Sequence, residues 1–426
     1  MGLNIFFMGI TGYLGGSLFA RLHPDQNHHI SALVRSQEKA DWLRAHGIRP
    51  VLGDLSATDL IEEEALKADV FINTADSDHL PSAKAAVLGL KKRYEKTGQK
   101  SLYLHTSGTG ILIEKSDGTS SPKVWLDTDT SALNAIPETA LHRKTDMWLL
   151  DNSSNVDLCM VCPPSIYGRG VGEPALSNIY SVQIPFIIAH AVRNGRTQQI
   201  GPGKNVSSQI HVADLVQLYL KLLRIYLEGG DLPTGYLFPV PENGGEHVMG
   251  DLVNAIAREL KKQGILETDE VVTVEATDAE LKRVFTTVAG KYLVGSNCRA
   301  RGPKALSTGW AATEKEDIYS TIPHAVKEIS QAVRDGTKSH VEEAKVEEAK
   351  AEEAKVEEAK AEEAKVEEAK AEEAKVEGAK VEEAKIEEVK IEEAEIEEGK
   401  IEEAKLGEAK IEEAKSEEAK SEEGQE

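Results

Sequence analysis

The segment LHRKTD (residues 141–146) sets His142 and Asp146 four positions apart, the spacing that brings two side chains onto one face of a helix. An imidazole titrates near neutrality and so can pass a proton, and a carboxylate beside it fixes its tautomer. The pair is therefore a candidate acid–base couple. The competing expectation is a pocket-capping His142, with Arg143 or Lys144 turned to a cofactor phosphate or to solvent. His211 and Asp214 in QIHVADL make a second pair, expected to anchor a helix. Cys159 and Cys162 have redox or zinc spacing but stand in the apolar run VDLCMVCPP, where a strand sends them to opposite faces. No second Cys/His pair follows at ligand spacing, so two buried small hydrophobes are expected and no metal site.

The elements that must position these groups begin at the N-terminus. LNIFFMG reads as a buried first strand and runs into GITGYLGGSLFARL, with Gly9, Gly12 and Gly15 ahead of a helical pattern. Such glycines serve a tight turn, close backbone approach to a pyrophosphate, and close packing of helix on strand. The helix that follows offers its N–H groups and dipole to phosphate. The second strand, HISALVRS, ends in Arg35, twenty residues past Gly15. A dinucleotide site selective for NAD carries an acid near this point; an arginine suits a 2′-phosphate, so NADP is expected, with NAD possible. RPVLGDL, ADVFINTAD and SLYLHTSGTGIL continue an alternation of helical segments and apolar runs. That rhythm predicts an α/β fold, a Rossmann-type doubly wound parallel sheet.

With these pieces in place the body, residues 3 to 335, resembles the extended short-chain dehydrogenase/reductases, the NAD-dependent epimerase/dehydratase-like proteins. The motifs that carry the resemblance are GITGYLGG, GDL at 53–55, HTSGTG at 105–110, PPSIYGRG at 163–170 and QIHVADL at 209–215. It implies a cofactor loop of Gly9, Thr11, Gly12, Tyr13, Leu14 and Gly15, and an adenine contact at Asp54 with Leu55. It also implies cofactor lining by Thr74 and Ala75, nicotinamide contacts at Pro163 to Ile166, and a catalytic Ser107 that polarises a substrate oxygen. The family's Tyr-x-x-x-Lys acid–base pair is missing: none of the ten tyrosines has Lys four residues on. His142 and Asp146 stand in its place, as in atypical fungal-type members.

The organisation expected is a Rossmann domain over 1–235 with a substrate-facing insertion near 170–200, a smaller α/β substrate domain over 236–335, and a repeat tail over 341–426. The tail holds 15 Lys and 34 Glu, a net of −19, which leaves −4 for the body. Its VEEAK-type units advance five residues, about 140° past a full turn, so no apolar seam forms and a solvated helical or disordered segment is expected, its partner unknown. The body lacks the basic surface that nucleic acid requires. No apolar run reaches the ~18 residues of a membrane span, and no secretory pattern opens the chain, so a cytoplasmic protein is expected. The function expected is NADPH-linked reduction of a small carbonyl substrate. A non-catalytic NAD(P) sensor and a nucleotide-sugar epimerase or dehydratase are the alternatives; aromatic residues are too few for a stacked sugar platform.

Overall fold

The computed structural model describes residues 2–23, 27–172, 177–286, 290–336, 390, 397–412 and 415. Seven parallel strands form the main sheet: β1 (Asn4–Met8), β2 (His29–Val34), β3 (Arg49–Leu52), β4 (Val70–Asn73), β5 (Leu102–Thr106), β6 (Asp157–Val161) and β7 (Tyr236–Leu237). Their order is β7-β6-β5-β4-β1-β2-β3. The order reverses on either side of β1, which opens a crevice at the carboxyl ends of the strands, where open α/β sheets bind ligands. The doubly wound expectation is met.

The strands are apolar on both faces because both are covered. Ile5 and Phe7 of β1 enter one core with Leu18 and Leu215, from helices Tyr13–Leu22 and Val212–Leu227. Phe6 and Met8 enter the other, with Leu90 of helix Leu80–Thr97 and Leu149 of helix Arg143–Asn152. Cys159 and Cys162 lie fully buried in opposite cores, as the strand alternation predicts. A third core joins Ile187, Leu252, Ile256, Phe285, Ile322 and Val326 from the later helices. The three-stranded sheet of Ser165–Tyr167, Val206–His211 and Glu246–Val248 lies in this later part.

Asp214 anchors, as expected: its carboxylate accepts from the N–H groups of Thr313 at 2.8 Å and Glu314 at 3.1 Å, and its carbonyl from the Trp310 indole at 2.9 Å. His211 caps helix Val212–Leu227, accepting from the Ala213 N–H.

The chain divides into two compact units, Met1–Glu353 and Ala354–Glu426. Most of the repeat tail lies outside the described residues. Where it is described, over 397–412, it is helical, and Ile401, Leu406 and Ile411 are exposed. Their five-residue spacing keeps them from one stripe. Among the described residues no helix is long and apolar enough to cross a membrane.

Candidate functional site

At the nucleotide end, Gly9 follows β1 with φ +87, and a Cβ there would meet the Ala75 nitrogen at 2.6 Å. Only glycine takes this turn at no steric cost. A Cβ on Gly15 would stand 2.0 Å from the Gly9 carbonyl oxygen and 2.7 Å from Thr74 Oγ1. The turn is thus closed against the end of β4, with the Thr74 hydroxyl donating to the Met8 carbonyl at 3.2 Å. Gly12 is the N-cap of helix Tyr13–Leu22, brings no side-chain cap, and no acid stands in the first turn. A helix start without cap or carboxylate is ready for an anion, and these residues fit a dinucleotide pyrophosphate. Tyr13 points elsewhere: its hydroxyl donates to the carbonyls of Tyr167, at 3.0 Å, and Gly168, at 2.7 Å, tying the cofactor loop to the turn that follows Pro163 and Ile166.

Arg35 lies just past β2, and Lys39, one helical turn on, was not anticipated from sequence. Lys39 Nζ donates to Thr11 Oγ1 at 3.2 Å, in the glycine turn itself. Burial lowers its pKa first, and the Arg35 charge lowers it further. Two cations at one strand end make a ready partner for a phosphate. Asp54 is exposed and held in a turn, accepting from Ser56 N–H at 2.9 Å and Ser56 Oγ at 2.6 Å. Those bonds and the Arg35 charge keep its carboxyl below the usual range. Leu55 packs against the second core, and Ala75 is exposed at the end of β4.

The chemical end departs from the expected geometry. His142 is not inside a helix: it is the N-cap of Arg143–Asn152, in the left-handed region with φ 65 and ψ −20. Four-residue spacing brings two side chains together only when both have helical backbone. The imidazole takes hydrogen-bond partners from outside this helix. Its Nδ1 lies 3.0 Å from Asp78 Oδ1 and 2.9 Å from Ser77 Oγ, both in the segment after β4. The carboxylate at His142 is Asp78, which corrects the expected His142–Asp146 couple. Thr145 secures this segment to the helix, its hydroxyl donating to the Asp78 carbonyl at 3.2 Å. The other ring nitrogen lies against the loop after Ser107: a Cβ on Gly110 would come within 2.8 Å of Nε2. Gly108 and Gly110 make the room in which the ring sits.

Asp146 is fully buried and faces Ser107, whose Oγ lies 2.8 Å from Asp146 Oδ2. Burial pushes the Asp146 pKa up to about 7, against the opposing pull of His142, Ser107 and Tyr236. Arg143 is buried as well. It donates to Tyr236 Oη at 2.7 Å and to the Ile136 and Asn134 carbonyls, so it braces the corner and is no phosphate ligand. Beneath Ser107 on β5, His105 Nδ1 meets Asn73 and Tyr103, and burial holds its pKa down to about 3. It is a neutral imidazole. The Ser107 loop also bonds the turn after β6, Thr109 N–H donating to the Pro163 carbonyl at 3.0 Å.

The structure therefore gathers Ser107, His142 and Pro163 near one strand-end corner, with Ile166 on the strand that follows Pro163, and the glycine turn, Arg35, Asp54, Thr74 and Ala75 along the neighbouring strand ends. Sequence reasoning missed Lys39, Ser77, Asp78 and Tyr236. Only the first had a local signal, a basic residue one turn after Arg35.

No family model matches the chain. Oxidase ucsJ of Acremonium sp is 31% identical over 333 residues, covering 72% of this chain and 91% of that protein. An uncharacterized protein of Schizosaccharomyces pombe is 24% identical over 230 residues, 52% of this chain and 70% of its own. Among solved structures, PbgP3 of Burkholderia pseudomallei has a TM-score of 0.55 at 14% identity, over 78% of this chain and 99% of that one. The UDP-glucose 4-epimerase of Thermotoga maritima has a TM-score of 0.52 at 14% identity, over 78% and 100%. The dTDP-glucose 4,6-dehydratase of Bacillus anthracis, solved with NAD, has 0.51 at 14%, over 77% and 97%. These likenesses establish the fold, that of NAD-binding epimerases and dehydratases. The chain belongs to the family of oxidase ucsJ, on the fold of the extended short-chain dehydrogenase/reductases.

Proposed function

We propose that the protein carries out NADPH-linked reduction of a small carbonyl substrate. Ser107 hydrogen-bonds the substrate oxygen, and His142, held by Asp78 and Ser77, supplies the proton. The observation that carries this is the fixed imidazole: Nδ1 is tied to a carboxylate and a hydroxyl, and Nε2 faces the loop of Ser107. A bound reduced nicotinamide supplies hydride. As the carbonyl carbon accepts it, the π pair moves to oxygen and takes the Nε2 proton, a transfer of the kind a positioned imidazole performs. Arg35 and Lys39 favour the 2′-phosphate of NADPH over the free hydroxyl of NADH.

The test is calorimetry of NADPH and NADH on the full chain, then NADPH absorbance with benzaldehyde, cinnamaldehyde and cyclohexanone. Tighter NADPH binding, with turnover that His142→Ala abolishes, supports the proposal. Equal binding of the two nucleotides removes the NADPH preference, and turnover that survives in His142→Ala removes the histidine. The name of oxidase ucsJ favours a second reading, the same site run towards oxidation of an alcohol. NADP⁺ reduction with benzyl alcohol distinguishes the two.

A further inference from the structure

We propose that Asp146 is held as the neutral carboxylic acid and donates its own O–H to Ser107, which releases the Ser107 proton for the substrate oxygen. Asp146 is thus a positioning residue that decides whether Ser107 is a donor or an acceptor. The inference deepens the proposed reduction and rests on it for its functional consequence.

The geometry is that of a carboxyl with nowhere to put a charge. Asp146 is 0% exposed, and among the described residues its Oδ1 has no partner at hydrogen-bond geometry, while the Tyr236 hydroxyl beside the carboxyl lowers its pKa less than burial raises it. An ionised carboxyl with one bare buried oxygen keeps a large desolvation penalty, which protonation removes. The groups that face it come from every surrounding element. Ser107 follows β5, Cys162 follows β6, Tyr236 is on β7, Asp78 follows β4, and His142 and Arg143 open its own helix. The buried cation of its own helix, Arg143, is already spent on Tyr236 and two carbonyls. Asp78 adds like charge, and burial dominates the sum.

The consequence follows from counting protons. Ser107 has one. If Asp146 is a carboxylate, the 2.8 Å contact consumes that proton and leaves Ser107 with lone pairs only toward a substrate. A carbonyl oxygen then meets an acceptor and is repelled. If Asp146 is the acid, it fills the same contact as donor, and the Ser107 O–H turns to the carbonyl. Low pH thus prepares the site for a ketone or aldehyde, and ionisation prepares it for an alcohol, whose O–H needs an acceptor.

Infrared difference spectroscopy on the full chain, without ligand, is the test. The expected result is a protonated-carboxyl C=O stretch at about pH 6 that is lost at about pH 9. It should be absent in Asp146→Asn and persist to higher pH in Ser107→Ala, which loses a bond that favours the ionised form. No such band at about pH 6, or one that survives in Asp146→Asn, overturns the proposal. The Ser107→Ala arm decides the matter if Asp146→Asn fails to fold, because a neutral acid bonded to Ser107 must shift its stretch when that hydroxyl is removed. In the functional arm, with benzaldehyde, Asp146→Asn should lower reduction far less than Asp146→Leu and remove the part of the high-pH decline that Asp146 ionisation causes, since an Asn N–H donates to Ser107 as the acid does. Asp146→Leu should lose reduction by on the order of 10²-fold. The band present without turnover would sink the reductase proposal and keep the neutral acid; turnover without the band would do the reverse.

Discussion

The two ends of this crevice obey different rules. At the nucleotide end, the pyrophosphate cradle is built from backbone: a positive-φ glycine, a bare helix start and a second glycine pressed onto the first. All of it comes from seven consecutive residues and fits the family's pattern. At the chemical end, recognition is built from side chains of four segments that meet only in the fold: Asp78 after β4, Ser107 after β5, the His142–Asp146 stretch, and Tyr236 on β7. There the family's Tyr–Lys pair is gone and carboxylates have replaced a cation. Local geometry constrains sequence tightly, whereas a proton-transfer corner can be rebuilt from different side chains as long as each is held.

If that contrast is right, the largest effect of a single methyl group belongs to the nucleotide end. A Cβ at Gly15 would sit 2.0 Å from the Gly9 carbonyl, so Gly15→Ala must displace the helix start from the turn. Overpacking of this kind costs about 1–3 kcal/mol, and here it also misaims the N–H groups. Nucleotide binding by calorimetry should fall by on the order of 100-fold or more at 1.4 kcal/mol per tenfold. Binding close to wild type would mean that the turn relaxes freely and backbone does not set this end.

Ser107→Ala, at the other end, should divide the two functions. Loss of a hydrogen bond to a developing oxyanion costs about 10²–10³ in rate, while NADPH affinity should stay within about twofold. A parallel loss of both would show that the ends are coupled. Asp78→Asn sharpens the same point by removing the His142 carboxylate and leaving the helix intact. Turnover should fall, with a loss no larger than the ~10²–10⁴ that a positioned proton donor contributes, again without change in nucleotide affinity.

How far each end was legible follows from the same contrast. The sheet, its crevice and the glycine turn could be read because strand alternation and a Gly-x-x-Gly-x-x-Gly run are local signals. Ser107, His142, Pro163 and Ile166 were placed through the family resemblance, and in the structure His142 and Pro163 lie against the Ser107 loop. Their partners were not legible. The expectation that Asp146 serves His142 assumed helical backbone at both positions, and one left-handed residue at the N-cap sent the imidazole to Asp78 instead. No spacing rule finds Asp78, 64 residues from His142 in the chain. Asp146, 39 residues from Ser107, is equally remote from the group it touches.

Stability against pH tests whether the chemical end carries the cost of its rebuilt charges. The Asp146 pKa, ordinarily 3.8, is pushed to about 7 by burial in the fold. The folded state then binds one more proton than the unfolded chain between those values, so stability falls as pH rises across the window. The contribution is complete below about 4 and gone above about 7, and it amounts to about 4 kcal/mol at 1.36 kcal/mol per unit. Wild type minus Asp146→Asn, in denaturant unfolding across this range, isolates it from the other carboxylates. A flat difference would place an ordinary carboxyl at this position.

The smallest effects separate the cofactors. On the proposed NADPH preference, Arg35→Ala and Lys39→Ala would each remove one charge-assisted hydrogen bond to a 2′-phosphate, about 1.5–3 kcal/mol in a well-aligned pair. Lys39 stands to lose the lower figure, since it also donates to Thr11 and would keep its helix position without the phosphate. NADPH affinity should fall about tenfold for Lys39→Ala and more for Arg35→Ala, with NADH unchanged in both. The NADH control gives the comparison its force. The glycine turn serves the pyrophosphate common to both nucleotides, so a loss shared by NADH would mean that Lys39 supports the turn through Thr11, and that discrimination rests on Arg35 alone.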